Sequence, residues 1–552
     1  MSAELDQLGT DLWVWRAMRQ PHSGDDIPRL VRPAGYAPDF SPDGVATIRS
    51  ERAEFVARWQ AIDAAVLTVG EAVDHRLLGS LLARVTWELD VLRSWNRDAV
   101  FHIHQALGPY YDQILPLPPF DEVRVTAIVT ALCAVPLAVE RAITSLTDPA
   151  GPLTRAALQI LDDIGGALTS SVTALARHLP ELQRGAVIEA GEVAAESMAR
   201  FCHHLASLDE QSEAVAVGRD AFVWYLRNVA LVADEPEDLL VAARQEWQRA
   251  LVWERIAIQR ASTATLPAIP LTADEQVAHE AECEQEVRDF YEDADLLTQP
   301  SSLRHYLNAA LPDYVAPMGF LGVTNDLTDD DRLTVDGVSY VPAPNPQLPY
   351  FYAANARDPR AGIIHEGAHY QQLALAKAHS DPIRRRYYDS GSNEGIAFYN
   401  EELMLQAGLF DDAPHTRAVV WNFVRLRALR VEVDVRLATG DLSLFEAIDL
   451  FVAKVPMDGD TAFGETALYA GNPGLALSYQ IGKLHLMRLM ASAIEVQGDQ
   501  FSIRAFHDYV WLNGNIPFSL LRWELLGDTF DLDRIDADPL TGVVAPQPAF
   551  SN

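Results

Sequence analysis

The residues best placed to do chemistry are His365, Glu366 and His369, in the stretch DPRAGIIHEGAHYQQLALAKAH over residues 358–379. The pattern is H-E-x-x-H. On an α-helix, positions four apart lie one turn above each other on the same face. Two imidazoles so placed can both reach one zinc ion, and Glu366 lies beside the metal as a general base. The stretch reads as a helix. Asp358 can cap it, and Pro359 suits a first turn, where a missing N–H costs nothing. Ile363, Ile364, Ala368, Leu373 and Ala374 give it apolar flanks. The same pattern also fits a plain helix with two satisfied histidines and a surface glutamate.

A third ligand separates those readings. GSNEGIAFYNEELMLQAGLF places Glu394 at the start of a second helix, which Ser392 or Asn393 can cap, so that Glu394 falls in its first turn. Residues 370–393 leave room for a turn and an antiparallel return. Two His and one Glu, with water in the fourth place, form the open tetrahedral site of a hydrolytic zinc enzyme.

The elements that must hold these residues are helical over most of the chain. LDQLGTDLWVWRAM reads as a short first helix, followed by a Pro- and Gly-containing segment to about Gly44. Residues 49–115 carry apolar positions at three- and four-residue spacing, and LPLPPF (115–120) breaks the pattern. Residues 121–262 are the most regular part. Helices are expected in EVRVTAIVTALCAVPLAVERAITSL, TRAALQILDDIGGALTSSVTALARHL, GAVIEAGEVAAESMARFCHHLASL, SEAVAVGRDAFVWYLRNVALV and PEDLLVAARQEWQRALVWERIAIQRA, joined by short breaks as antiparallel hairpins. From about residue 263 the texture changes to a loop, an acidic helix to about 297, and an irregular stretch over 313–357. There LTVDGVSYVPAP and LPYFYAAN have β-type composition, giving one or two short strands before the zinc helix. A strand there could present its edge to an extended peptide. The fold expected is mainly α, divided into an N-terminal helical region, 1–262, and a catalytic helical region, 263–552.

Composition bounds the rest. The 552 residues carry a net charge of −35 and are 49% hydrophobic, ample for a packed interior. That acidity opposes binding to nucleic acid or an anionic membrane, which both want a basic face. No uninterrupted apolar run of about 18 residues appears, so no membrane span is expected. Cys133, Cys202 and Cys283 form no C-x-x-C pair, and with no secretion signal at the start the expected compartment is the cytoplasm.

Other candidate groups are weaker. His279, Glu280 and Cys283 in AHEAEC resemble half a zinc motif without a third ligand. His203 and His204 are helix neighbours and diverge by about 100 degrees. HTRAVVWNFVRLRALRVEVDVRLATG carries Arg425, Arg427, Arg430 and Arg436 in an otherwise acidic chain. Arg425 and Arg430 are candidates to fork onto a substrate carboxylate; the bland alternative is pairing with nearby acids.

Taken in order, IIHEGAHYQQLALA, SNEGIAFYNEELMLQAGLF, RLRALRVEVDVRLATG, NPGLALSYQIGKLHL and FHDYVWLNGNIPFSLL make the chain resemble the bacterial family called domain of unknown function 885. The resemblance extends more weakly through the N-terminal helices. It implies a large multi-helix fold with a central cleft, related to helical zinc peptidases, and hydrolysis of a peptide or amide. The substrate expected is a small peptide or amide. His365-Glu366-Gly367-Ala368-His369 is more compact than the spacing common in that family. Thermolysin-like sites place an acid four residues after the ligand glutamate. Here Phe398 stands there, so Glu401, Glu402 or Asp434 would have to orient a histidine. The resemblance also points to a tyrosine after the ligand glutamate as oxyanion donor. Tyr479 fits, on an otherwise apolar helix opened by Pro473 and Gly474, with His485 the competing donor. Two other readings share the ligands: a non-haem iron oxygenase, which leaves Glu366 without work, and a helical scaffold with an inactive site.

Overall fold

Apolar residues at helical spacing produce helices along nearly the whole chain, and the fold is mainly α. The computed structural model describes residues 3–23, 32, 33, 36, 38–208, 211–326, 334–345, 347–542 and 544–551. Part of the expected Pro- and Gly-containing segment before Gly44 lies outside these residues, as does Leu333 at the head of LTVDGVSYVPAP.

Two expected helices differ. TRAALQILDDIGGALTSSVTALARHL is divided into Gly151–Ile160 and Ile164–Ala176. Asp162 and Asp163, followed by Gly165 and Gly166, are poor helix formers at the joint. In SEAVAVGRDAFVWYLRNVALV only Arg219–Asn228 is helical, because Gly218 sits at φ 90° immediately before it. One described helix, Glu122–Ser145, is long and apolar enough to cross a membrane, against the expectation that no segment would be. Its Val125, Ile128, Leu132, Val135 and Val139 are buried in a helical core.

Among the described residues the sheet has three short strands: β1 (Tyr306–Ala310), β2 (Asn325–Asp326) and β3 (Gly337–Val341). Their order is β1-β3-β2, with β1 parallel and β2 antiparallel to β3. The strand foreseen in LTVDGVSYVPAP is therefore the middle one, and it has no edge to offer a peptide. LPYFYAAN contributes no strand. Its aromatic residues open the helix Tyr350–Arg357, started after Pro349.

The largest apolar core crosses residue 262. It joins Leu5, Leu12 and Leu77 to Ile364, Phe398 and Trp511. A second core packs the helices between Ala99 and Leu205 against Val338 and Tyr340 of the sheet. The H-E-x-x-H stretch lies between the sheet and the helix Ser390–Ala407. It is not a uniform α-helix: Ile363–Gly367 forms a π-turn between Arg360–Gly362 and Ala368–Lys377. Single π-turns of this kind are frequent at functional sites. Asn400 steadies it, donating from Nδ2 to the carbonyl of Ile364 at 2.6 Å.

Candidate metal centre

The second ligand helix begins earlier than expected. Asp389, not Ser392 or Asn393, is its cap, accepting from the backbone N–H of Ser392 at 3.1 Å. Asp389 has the extended backbone a cap requires. Glu394 consequently lies beyond the first turn. Its neighbour Gly395 allows a close crossing with the helix Ser478–Gln497. A Cβ on Gly395 would come 2.6 Å from the backbone of Gly482, and one on Gly482 would come 1.9 Å from the carbonyl oxygen of Gly391. These three glycines set Tyr479 against the ligand helices.

His365, His369 and Glu394 are all buried, with ligand atoms within 4.8 Å of one another. Glu394 Oε2 is 3.4 Å from Nε2 of His365 and 3.4 Å from Nε2 of His369. That separation exceeds an ordinary N–H···O hydrogen bond, about 2.7–3.2 Å. Ligands at about 2.1 Å from one ion in a tetrahedron lie about 3.4 Å apart. The donor set thus fits a zinc ion. Burial, the largest influence on Glu394, pushes its carboxyl up; the two histidines outweigh it and hold it well below the carboxylate range. It is an anion in this site.

Of the three acids named to orient a histidine, Glu401 takes that position. Its Oε1 lies 2.8 Å from His365 Nδ1. A carboxylate on the far ring nitrogen fixes the tautomer, leaving Nε2 for a metal. Glu401 is seven residues after Glu394, two turns along the same face. Arg427 Nη2 in turn lies 3.0 Å from Glu401 Oε1, and its guanidinium is held over the rings of Phe398, Phe423 and Tyr479. The sequence shows Arg427 only as one of several arginines in its stretch. Its signal is position: Phe423 and Val431, four residues either side, are both buried.

Tyr479 comes to the site. Its ring is stacked on His365, centroids 6.2 Å apart and planes within 11°. Glu366 opens on a cavity between the sheet and the ligand helix. Asn325 of β2 donates from Nδ2 to Glu366 Oε2 at 3.2 Å, while Ser339 of β3 donates to Asn325 Oδ1 at 2.8 Å and fixes the amide's orientation. Asn325 lies 41 positions from Glu366 in a segment of irregular composition, and nothing in the sequence marks it.

The remaining candidates are placed elsewhere or are already engaged. His485 Nε2 is 2.8 Å from Asp234 Oδ2, which Arg488 shares. Arg425 is paired with Glu254 and bonds the carbonyl of Lys454. Arg430 is paired with Glu465 at 2.5 Å, with its guanidinium over Tyr479. Neither arginine has its fork open to a substrate carboxylate. Glu402 faces Arg249 and Lys483 and not a histidine. Asp434 accepts from the backbone N–H groups of Gly474 and Leu477, both at 2.9 Å. It shapes the turn that leads into the Tyr479 helix.

No curated protein sequence matches the chain. Solved structures share its fold, among them two bacterial proteins. One is described as a candidate lipoprotein of unknown function from Shewanella oneidensis, with a TM-score of 0.70 at 14% identity, covering 95% of this chain and 99% of that one. The other is described as a candidate lipoprotein from Colwellia psychrerythraea, with a TM-score of 0.74 at 18% identity, covering 98% of this chain and 100% of that one. Both are described as lipoproteins, which contradicts the cytoplasmic location expected from cysteine usage and the lack of a secretion signal. The family model described as a bacterial protein of unknown function, DUF885, matches residues 24–525, and the chain belongs to that family.

Proposed function

We propose that this chain is a zinc hydrolase that cleaves a peptide or amide bond. The observation that carries the reading is Glu394 Oε2 at 3.4 Å from both Nε2 atoms, with Glu401 behind His365. A zinc ion on those three ligands would lower the pKa of water to around 7 and polarise a carbonyl.

The chain's own residues divide the remaining work. Glu366, its carboxylate aimed by Asn325, takes the proton of the attacking water and passes it to the leaving amine. Glu401 and Arg427 keep His365 in the tautomer that leaves Nε2 free. Tyr479, beside His365, is the donor for the charge that grows on the carbonyl oxygen. An iron oxygenase would use the same three ligands but leaves Glu366, at a cavity wall, without a role.

The test joins metal analysis to turnover. Purified protein should hold one zinc per chain and cleave members of an untargeted peptide library. Glu366→Gln should keep the zinc and the fold and lose roughly 10²–10⁴-fold in turnover, because an amide cannot accept the proton. Full activity in Glu366→Gln, or iron with oxygen-dependent turnover, would sink the hydrolase reading.

A further inference from the structure

Glu280 stands outside the ligand cluster. It belongs to the AHEAEC stretch on the helix Ala273–Asp293. No metal group forms there: Cys283 Sγ lies 3.8 Å from His279 Nδ1, and among the described residues the one cluster with metal-ligand spacing is His365, His369 and Glu394.

Glu280 instead lines the same cavity as Glu366. The cavity is about 180 Å³, many times the roughly 10–15 Å³ that admits one water. Glu280 is only 2% exposed. Gln276 Nε2 donates to its Oε1 at 3.1 Å, and Oε2 is buried with no hydrogen-bond partner. Three residues lining the same cavity each carry a carbonyl oxygen that is likewise buried without a donor: Gln276 Oε1, Asn308 Oδ1 and Asn355 Oδ1. The bond to Glu280 fixes which end of Gln276 is the oxygen. Among the described residues, no Arg, Lys or His lines this cavity. Burial, the largest influence, pushes the Glu280 carboxyl upward.

A buried carboxylate oxygen and three buried carbonyls without donors carry an unmet desolvation cost. A ligand that meets it must donate several hydrogen bonds and bring positive charge. An ammonium does both, with three donors and no acceptor.

We propose that this cavity receives a protonated primary amine of the substrate, with Glu280 as its anionic partner and Asn308 and Asn355 as further acceptors. Binding of the amine stands on the cavity alone, whereas its cleavage rests on the hydrolase reading: Glu366 on the same cavity would act on an amide close to that amine. The substrate class is a chain with a free α-amine or a lysine side chain, which share the ammonium.

Equilibrium binding to the full-length protein tests it, with zinc chelated to prevent turnover and again with zinc added. The probes are L-alaninamide, with an α-amine; Nα-acetyl-L-lysinamide, with a side-chain amine; and Nα-acetyl-L-alaninamide, with neither. At least one amine should bind, the doubly blocked compound far more weakly, and the stronger amine names the source. Glu280→Gln should weaken the amine roughly 10- to 100-fold, the worth of a charge-assisted hydrogen bond. Asn355→Ala should weaken it less. Equal binding of the blocked compound, no amine binding, or unchanged affinity in Glu280→Gln overturns the proposal. If Glu280→Gln does not fold, unchanged affinity in both Asn355→Ala and Asn308→Leu overturns it equally. Amine binding without any peptide cleavage would remove only the hydrolase reading. Cleavage of N-acetylated, lysine-free peptides as fast as free ones would remove only the amine site.

Discussion

Glu401 and Glu402 are consecutive residues on one buried helix, and they serve unlike clusters. Neighbours on a helix diverge by about 100 degrees, so the two carboxylates look in different directions. Glu402 meets Arg249 at 2.6 Å and Lys483 at 2.8 Å, and Glu246 meets the same two bases. Two acids and two bases balance, and Arg249 and Lys483 hold Glu402 as low as about 2 against its burial, the largest influence. Glu401 meets His365 and Arg427. There the charges do not balance. With His365 and His369 neutral, as metal ligation requires, Glu366, Glu394 and Glu401 give −3, Arg427 gives +1, and the remainder is −2, which one divalent cation cancels. A closed ion network has contacts at hydrogen-bond length throughout. The ligand cluster instead keeps Glu394 at 3.4 Å from two imidazoles, a gap sized for an ion.

The strongest way to break this contrast is to remove a ligand. Glu394→Ala or His365→Ala should yield protein without zinc after gel filtration and without turnover. Metal analysis by mass spectrometry decides it, and a variant that kept one zinc per chain would place the metal elsewhere.

The next largest effect is expected at Tyr479. Tyr479→Phe retains the ring stacked on His365 and removes only the hydroxyl. Zinc content and melting temperature should stay nearly unchanged, with kcat lower by roughly 10²–10³-fold, the cost of one lost oxyanion donor. Normal turnover would make Tyr479 a packing residue.

Glu401→Gln should act through the metal. Partners on the far nitrogen of a ligand histidine are worth about 10–100-fold in metal affinity. Competition with a chelating dye should show a loss in that range, whereas Glu402→Gln should show none. Equal losses in both would erase the distinction between the two neighbours.

The ligands are legible in the sequence. The spacing of His365 and His369 and a glutamate in the next helix point to the three residues that the fold brings within 4.8 Å of one another, although the π-turn and the earlier start of the second helix do not show in local periodicity. Glu401 is half legible, two turns from Glu394 on the same face. Arg427 and Asn325 come from separate elements, and only the tertiary fold brings them to the site. Charge type alone misled at His485, Arg425, Arg430 and Glu402. Residue type does not reveal which partner a side chain meets, and Asp234, Glu254, Glu465 and Arg249 lie far away in sequence. The helix Tyr350–Arg357 shows the same limit at the level of secondary structure. Its aromatic residues favour a strand, but among the described residues no strand pairs with them, and β-propensity expresses packing rather than backbone preference.

The smallest effect on the site is expected from the closed network, and it sharpens the contrast most cleanly. Lys483 is 0% exposed and lies four residues after Tyr479, with its ammonium over Phe398. Lys483→Met keeps the aliphatic length and removes the charge. Removing one partner of a buried pair costs roughly 3–5 kcal/mol, and less where another cation remains. Arg249 does remain beside both Glu402 and Glu246. The unfolding midpoint in denaturant should therefore fall clearly, while zinc content stays at one per chain and kcat changes little. Adding Glu402→Leu should recover part of the loss, because an apolar pair of similar volume no longer buries an uncompensated carboxylate. If Lys483→Met instead released zinc while remaining folded, the network would be coupled to the ligands through Phe398 and Tyr479. The two clusters would then be one.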